Sequence, residues 1–446
     1  MTQRTSRTRR ALPLAGLWVA GMLLVMPAVA QADDDQLSNT ITDVPGIKVG
    51  HYTKLGDGYR TGTTVVLTEE GATTGYSQQG GAPGTKETDL LQPGGLVTEA
   101  HAIVLSGGSA YGLDSITGVM QWLEEHGHGY PVGGGVVPIV PGAILYDLGR
   151  GGDFSARPDA EFGYLAAEAA SADPVPMGRH GAGMGASRGL GSAGIELSNG
   201  YRVGAIVALN PAGSPVNPDT CLPYAEFLEI GNEFNLVPPN ANDCPAARAS
   251  NAASQADDSS GEPFNTTIAV VATDAPLDQT QAERMAMIAN SGLARAIRPV
   301  HNLGDGDTVF AMATTTPAED LPNNVLSQVY NAAADALGRA VVRALLESET
   351  VGNSIAYCDQ YPSACRNRDN PGANATGDVD GSVIGGSSGT GAGPAAAEQE
   401  SGVLPVSFAG ESAPQALLGA AVLGIAAGAT AITLAGHRRR SPTPVT

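Results

Sequence analysis

Asn265–Leu277, NTTIAVVATDAPL, follows a segment of opposite character. Pro238–Phe264 is polar, rich in Ala, Ser and Asp, and shows no apolar periodicity, so it reads as a long surface loop interrupting a core. Thr267–Thr273, TIAVVAT, is a short, continuous apolar run, the pattern of a strand covered on both faces. Asp274-Ala275-Pro276 then supplies an N-cap and an early Pro, and Leu277–Ile297 reads as a long helix. A hydroxyl residue between an exposed loop and a core strand, as in Asn265-Thr266-Thr267, is a place where a processed N-terminus can sit.

The same alternation extends outward. Ala102–Leu105, Val203–Leu209 (VGAIVAL) and Thr308–Thr314 (TVFAMAT) are further strand candidates. The first ends in Ser106-Gly107-Gly108-Ser109 and is followed by an amphipathic stretch, Ala110–His126. Val325–Leu346 repeats apolar residues at Val325, Val329, Leu337, Val341 and Leu345, one face of a helix. Strands alternating with helices predict a layered α/β or α+β domain between about Gln36 and Glu349.

With 42% hydrophobic residues in 446, the chain can bury a sizeable core and is not of the disordered class. A net charge of −21 would repel phosphate backbones, which excludes nucleic acid as a partner. The two ends are basic. Arg4, Arg7, Arg9 and Arg10 precede the uncharged run Ala11–Ala30, which ends in small residues, the order of a signal peptide over residues 1–32. The uncharged run Ala416–Gly436 is followed by His437-Arg438-Arg439-Arg440. As a helix it would span about 31 Å, the thickness of a bilayer core, with the Arg cluster on the cytoplasmic side.

The expected organisation is therefore a signal peptide (1–32), a folded domain (33–365), a flexible Gly/Ser/Ala/Pro-rich linker (366–415), a transmembrane helix (416–436) and a basic tail (437–446). This predicts an exported, single-pass protein of the cell membrane, held there by its C-terminal helix, with its folded domain extracellular. Four cysteines fit an oxidising compartment, and the local pairing Cys221–Cys244 with Cys358–Cys365 is the simplest of the three possible connectivities.

No HExxH, CxxC or GxxxxGK[ST] motif occurs, so no metal or cofactor is expected. Gly107-Gly108-Ser109-Ala110-Tyr111 follows a strand and opens a helix, as a nucleophile elbow does, but Tyr111 stands where GxSxG requires Gly. Asp305-Gly306-Asp307 is a turn whose paired carboxylates can orient an amine or hydroxyl. Asn210, ending the VGAIVAL strand, offers an amide donor of the kind an oxyanion hole uses.

Taken together, ITDVPGIKVGHYT (41–53), GTTVVL (62–67), GGAPGTKETDLL (80–91), LSGGSAYGLD (105–114), VPIVPGAILYDL (137–148), VGAIVALN (203–210), NTTIAVVATDAPL (265–277) and DGDTVFAMAT (305–314) resemble the L-aminopeptidase/D-esterase family. That family includes the β-aminopeptidases and the nylon-oligomer hydrolases. The resemblance covers roughly residues 39–346. It implies a four-layer αββα sandwich of the α+β class, similar to N-terminal-nucleophile hydrolases but with different connectivity. It implies a self-cleaving chain, cut between Asn265 and Thr266 into fragments 33–265 and from 266, with Thr266 as nucleophile. Asn210 and Tyr146 match the oxyanion residues, and Asp305 and Asp307 match the two polar residues that hold the nucleophile and its amine. A homo-oligomer of the two-fragment unit and a small peptide or amide substrate are implied as well. The Asp/Asp pair and the Asn-Thr cut look more like the nylon-oligomer hydrolase branch. One departure is Gly181–Gly194, which carries Arg188 where relatives often have a Lys; Arg stays charged and cannot act as a base.

The chemistry is coherent on its own terms. A Thr hydroxyl is a weak nucleophile, but a free α-amine with a pKa of about 7.7–8.0 is a base attached to the same residue. Cleavage before Thr266 creates nucleophile and base together. Two other readings compete: a serine hydrolase using Ser109, and a non-catalytic surface protein that retains the fold.

Overall fold

The structure, a computed structural model, describes residues 37–247 and 264–369. Among them, one mixed sheet contains β1 (Lys48–Gly56), β2 (Tyr59–Gln78), β3 (Thr85–Lys86), β4 (Glu99–Ser106), β7 (Gly142–Ile144), β8 (Leu190–Glu196), β9 (Arg202–Asn210), β10 (Thr266–Thr273) and β11 (Thr308–Ala313). Their order is β3-β7-β4-β2-β11-β10-β9-β8, with β1 paired to β2. A separate hairpin joins β5 (Tyr130–Val132) to β6 (Gly135–Val137).

Strand β2 belongs to both halves of the sheet. Thr63–Leu67 pairs with β4, and Thr73–Gln78 pairs with β11. Between them, at Leu67–Ala72, the register shifts, and such an irregularity bends a strand. The β2/β4 half and the β9/β10/β11 half thereby present one face each to a shared central core. That core holds Val66, Ile103 and Leu105 from one half and Ile206, Ala208, Ile268, Val270 and Phe310 from the other.

The outer faces are covered by helices. Val65, Leu67, Ala102 and Val104 pack under α1 (Ser115–Glu125) and α2 (Ala160–Glu168). Val207, Leu209, Ala269, Val271, Val309 and Ala311 pack under α3 (Gln279–Ala296) and α4 (Asn323–Leu346). The result is the expected α+β layering of helices, sheet, sheet and helices. It explains the unbroken apolar runs VGAIVAL and TIAVVAT, since alternate side chains enter different cores and both must be apolar. Helix backbones approach closely where glycines permit it. A Cβ on Gly118 or Gly163 would collide with the carbonyl of Ala160 or Ser115, and one on Gly292 with that of Ala334.

Several expectations are corrected. Helix α3 starts later than Leu277, because its cap is Asp278: the Asp278 carboxylate accepts from the Gln281 N–H, and the Gln281 side chain accepts from the Asp278 N–H. Asp274 instead accepts the Arg202 N–H at 2.8 Å. The stretch from Ala110 opens as a 3₁₀ turn, Ser109–Asp114, before α1 begins. The disulfides are Cys221–Cys244 and Cys358–Cys365, the local pairing.

The expectation of an exported, single-pass membrane protein is also overturned. Among the described residues, no helix is long and apolar enough to cross a membrane. The 24-residue α4 has the length but carries Asp335, Arg339 and Arg343, and its apolar face is spent on the sheet. The signal-peptide run 1–32, the linker from 370, the 416–436 run and the basic tail lie outside the described residues.

Candidate active site

Strand β10 begins at Thr266, which pairs with Asn210, the last residue of the antiparallel β9. On the other side β10 runs parallel to β11, with Ile268 opposite Thr308. Parallel pairing brings the N-terminal ends of both strands together, so the Asp305-Gly306-Asp307 turn lies beside Thr266. Side chains alternate along a strand, so Thr266 shares its face with Ile268 and Val270 of the central core.

Thr266 is buried. Its hydroxyl donates to the carbonyl oxygen of Asn265 and accepts the Gly306 N–H at 3.1 Å. Position 306 has room only for glycine: an added Cβ would lie 2.6 Å from the Ala82 carbonyl oxygen and 2.9 Å from Thr266 Oγ1.

The two aspartates flanking Gly306 are buried and differently engaged. Asp305 accepts from the Ala212 N–H at 3.1 Å and from the Asn302 N–H and side-chain amide at 3.2 and 3.0 Å. Burial raises its carboxyl above the ordinary range, and the neighbouring Asp307 adds to the effect. Asp307 accepts the Thr267 N–H at 2.7 Å with one oxygen. Its other oxygen meets the His301 N–H at 3.1 Å and His301 Nδ1 at 2.8 Å. Asp307 thus grips the residue after Thr266, and within the Asp305-Gly306-Asp307 turn it is the Gly306 N–H that bonds to the Thr266 hydroxyl.

Asn210 is fully buried. Its Oδ1 accepts the Ser187 N–H at 3.0 Å, and its Nδ2 donates to the backbone carbonyl of Tyr146 at 3.0 Å. The Tyr146 ring lies 5.8 Å from the Phe264 ring and 5.2 Å from the Arg150 guanidinium. Arg150 itself donates to Asn265 Oδ1 at 2.9 Å and to the Phe264 carbonyl at 2.6 Å. All five expected site residues, with Asn265, therefore converge on the start of β10.

Three participants escaped the sequence reading. Arg150 stands in a Gly-rich turn with no pattern to mark it, and His301 is brought to Asp307 only by the turn's shape. The third, Asp147, explains the Gly107-Gly108 pair. Buried and raised in pKa by that burial, it accepts the Thr61 hydroxyl at 2.6 Å and the Gly108 N–H at 2.7 Å. A Cβ on Gly107 would strike its carboxylate. The glycines after β4 thus admit a buried carboxylate. Ser109 beside them holds a left-handed backbone, φ 52°, with its N–H on the Leu145 carbonyl. Arg188 lines a cavity of about 70 Å³ with Val216, Cys221 and Tyr361, all of the helix-covered outer core, whereas Thr266 faces the central one.

Two helix-covered sheet layers packed around a central core, with Thr266 at the head of one strand, define a four-layer sandwich of the N-terminal-nucleophile-like fold. Solved structures agree on the fold. A β-aminopeptidase of Burkholderia sp. is 24% identical, with a TM-score of 0.54 over 74% of this chain and 94% of that one. The L-aminopeptidase D-Ala-esterase/amidase of Ochrobactrum anthropi, described as a variant of the Ntn-hydrolase fold, is 19% identical, with a TM-score of 0.55 over the same shares. Peptidase family S58 matches residues 39–356. An uncharacterized aminopeptidase of Mycobacterium leprae is 45% identical over 73% of this chain and 95% of its own length. A 6-aminohexanoate-oligomer endohydrolase of Agromyces sp. is 32% identical over 63% and 76%. The chain belongs to peptidase family S58, and it is a hydrolase of peptide or amide bonds.

Proposed function

We propose that the chain cuts itself between Asn265 and Thr266 and then uses Thr266 as an N-terminal nucleophile against small peptides, amides or esters, releasing their N-terminal residues. One observation carries this reading: the Thr266 hydroxyl lies against the Asn265 carbonyl group and is held there by the Gly306 N–H. The relatives' names, aminopeptidase and oligomer endohydrolase, support short peptides and oligoamides as substrates.

In the uncut chain the Thr266 nitrogen is a peptide nitrogen and no α-amine exists. The first proton must therefore pass to another base, and Asp305, with its raised carboxyl pKa, or Asp307 fills that role directly or through water. Once cut, the new amine, with a pKa of about 7.7–8.0, serves as base for the same hydroxyl. Substrate acylates Thr266, the oxyanion rests on Asn210 and Tyr146, and water releases the product. Asp307 steadies the strand through the Thr267 N–H. The family resemblance supports an oligomer of the two-fragment unit, which light scattering of the purified protein tests.

Intact mass and N-terminal sequencing of the fragments test the cut. A fragment starting at Thr266 is expected. Thr266→Ala leaves the chain whole and inactive, Thr266→Ser still cuts, and Thr267→Ala still cuts. A start at Thr267, or an unbroken active chain, removes Thr266 as the nucleophile. Loss of turnover with normal cutting in Ser109→Ala transfers the chemistry to Ser109.

A further inference from the structure

Phe264 and Asn265 are the two residues on the acyl side of the proposed cut, and both are held by one side chain. Arg150 Nη1 donates to Asn265 Oδ1 at 2.9 Å, and Nη2 donates to the Phe264 carbonyl at 2.6 Å. The planar guanidinium directs its donors in a fixed fork, so two acceptors on adjacent residues fix direction as well as distance. The fork is itself anchored. The Arg150 N–H donates to the Asp147 carbonyl at 3.1 Å, its carbonyl accepts from Arg60 at 3.4 Å, and its guanidinium lies 5.2 Å from the Tyr146 ring centre. That ring also meets the Phe264 ring at 5.8 Å. On the far side, the Asn265 N–H is held by the Gly304 carbonyl at 3.2 Å. The Asn265 carbonyl oxygen is met by the Thr266 hydroxyl.

We infer that Arg150 is a positioning residue for self-cleavage, holding Phe264-Asn265 so that the Asn265 carbonyl carbon faces Thr266 Oγ. This rests on the Asn265–Thr266 cut proposed above. In the step it serves, Thr266 Oγ bonds to the Asn265 carbonyl carbon while its proton passes to the carboxylate base. The carbon–nitrogen bond then breaks, and the nitrogen takes a proton to become the Thr266 α-amine. Water hydrolyses the resulting ester, restoring the hydroxyl and leaving a carboxylate on Asn265. Arg150 takes no proton and accepts no electron pair. It restricts the rotations of the acyl side, and pre-set geometry is worth large factors in an intramolecular attack.

The test uses the full chain, synthesised in a cell-free system, with the uncut fraction followed by intact mass. Arg150→Met loses both charge-assisted hydrogen bonds and is expected to slow cutting by about 10- to 100-fold. Asn265→Leu removes only the side-chain acceptor and should slow it less. The double variant should be no slower than Arg150→Met alone, because both changes delete the same contact. Arg150→Lys, a point charge that reaches one acceptor at a time, should fall between wild type and Arg150→Met. In the uncleavable Thr266→Ala background, Arg150→Met should leave the melting temperature within a few degrees. Wild-type cutting by Arg150→Met, slowing in the double variant equal to the product of the two singles, or a large fall in melting temperature would each overturn the inference. A wild-type chain that is never cut at Thr266 would instead overturn the underlying reading, and so the two failures are distinguishable.

Discussion

Replacing Gly306 by Ala adds one methyl group at the most crowded point of the site. Gly306 does not hold a left-handed backbone, so alanine meets no conformational penalty there and the effect is steric. The new Cβ would lie 2.6 Å from the Ala82 carbonyl oxygen, 2.9 Å from Thr266 Oγ1 and 3.1 Å from Pro83 Cα. Ala82 cannot yield easily, because its N–H is bonded to the Asp305 carbonyl at 2.8 Å. Relief to ordinary contact requires a shift of roughly 0.5 Å, and Thr266 is the neighbour whose side chain can take it up. Overpacking of this kind costs about 1–3 kcal/mol of stability. Since a misplacement of ~1 Å can cost about 100-fold in rate, half that displacement predicts cutting slowed by about tenfold. The assay is an intact-mass time course of the uncut chain, with melting temperatures taken in the Thr266→Ala background. Gly133→Ala is the control, because a Cβ there meets nothing within 4 Å. Cutting of Gly306→Ala at the wild-type rate would refute the placement of Gly306 against the nucleophile.

Three further outcomes are expected. Burial and Asp307 raise the Asp305 carboxyl, so its ionised form is lost on acidification at a higher pH than the ~3.9 of an ordinary aspartate. If that form starts the reaction, the cutting rate falls with a midpoint above that value, and a rate flat down to pH 4 would exclude Asp305 as the base. The same raised pKa gives stability that is present below the unfolded value and lost as pH rises through the folded one, so ionised Asp305 costs stability at neutral pH. His51, hydrogen-bonded to Thr64 at 2.9 Å, is pushed down to about 3 by burial and then by His180. It stays neutral in the folded chain while the unfolded chain protonates near 6.5, so stability is present above about 6.5 and lost on acidification towards 3, by up to about 1.4 kcal/mol per pH unit. His51→Asn should flatten the pH dependence of the melting temperature between pH 6 and 4, and an unchanged slope would count against the shift. Arg339, 2% exposed, binds Glu233 at 2.6 Å, the Gly194 carbonyl at 2.7 Å and Asn39 at 2.8 Å. Arg339→Met removes the nearest cation from Glu233, which keeps the Asn39 side-chain amide at 2.6 Å and Arg343 at 3.9 Å, and should cost about 1–3 kcal/mol in denaturant unfolding.

The sequence by itself determined the layers and the chemistry on offer. IAVVA (268–272) and VGAIVAL (203–209) carry no polar side chain because each strand feeds two cores, and that requirement is written residue by residue. The order of motifs carried the family, and with it a hydroxyl residue at the head of a strand. Local signals were weaker at boundaries: Asp274 looked like a helix cap, but Arg202, 72 residues away, claims its carboxylate. Only the tertiary structure decided which residues meet Thr266. Asn210 reaches it through an antiparallel pairing and Gly306 through a parallel one, and no local propensity encodes which strands become neighbours. Arg150 comes from 115 positions away to hold Asn265, and its identity in the chain, one arginine between glycines, gives no hint of that contact. Periodicity reports how each segment divides its faces between core and water. A catalytic geometry depends on how those segments are then packed, and that is a property of the whole fold.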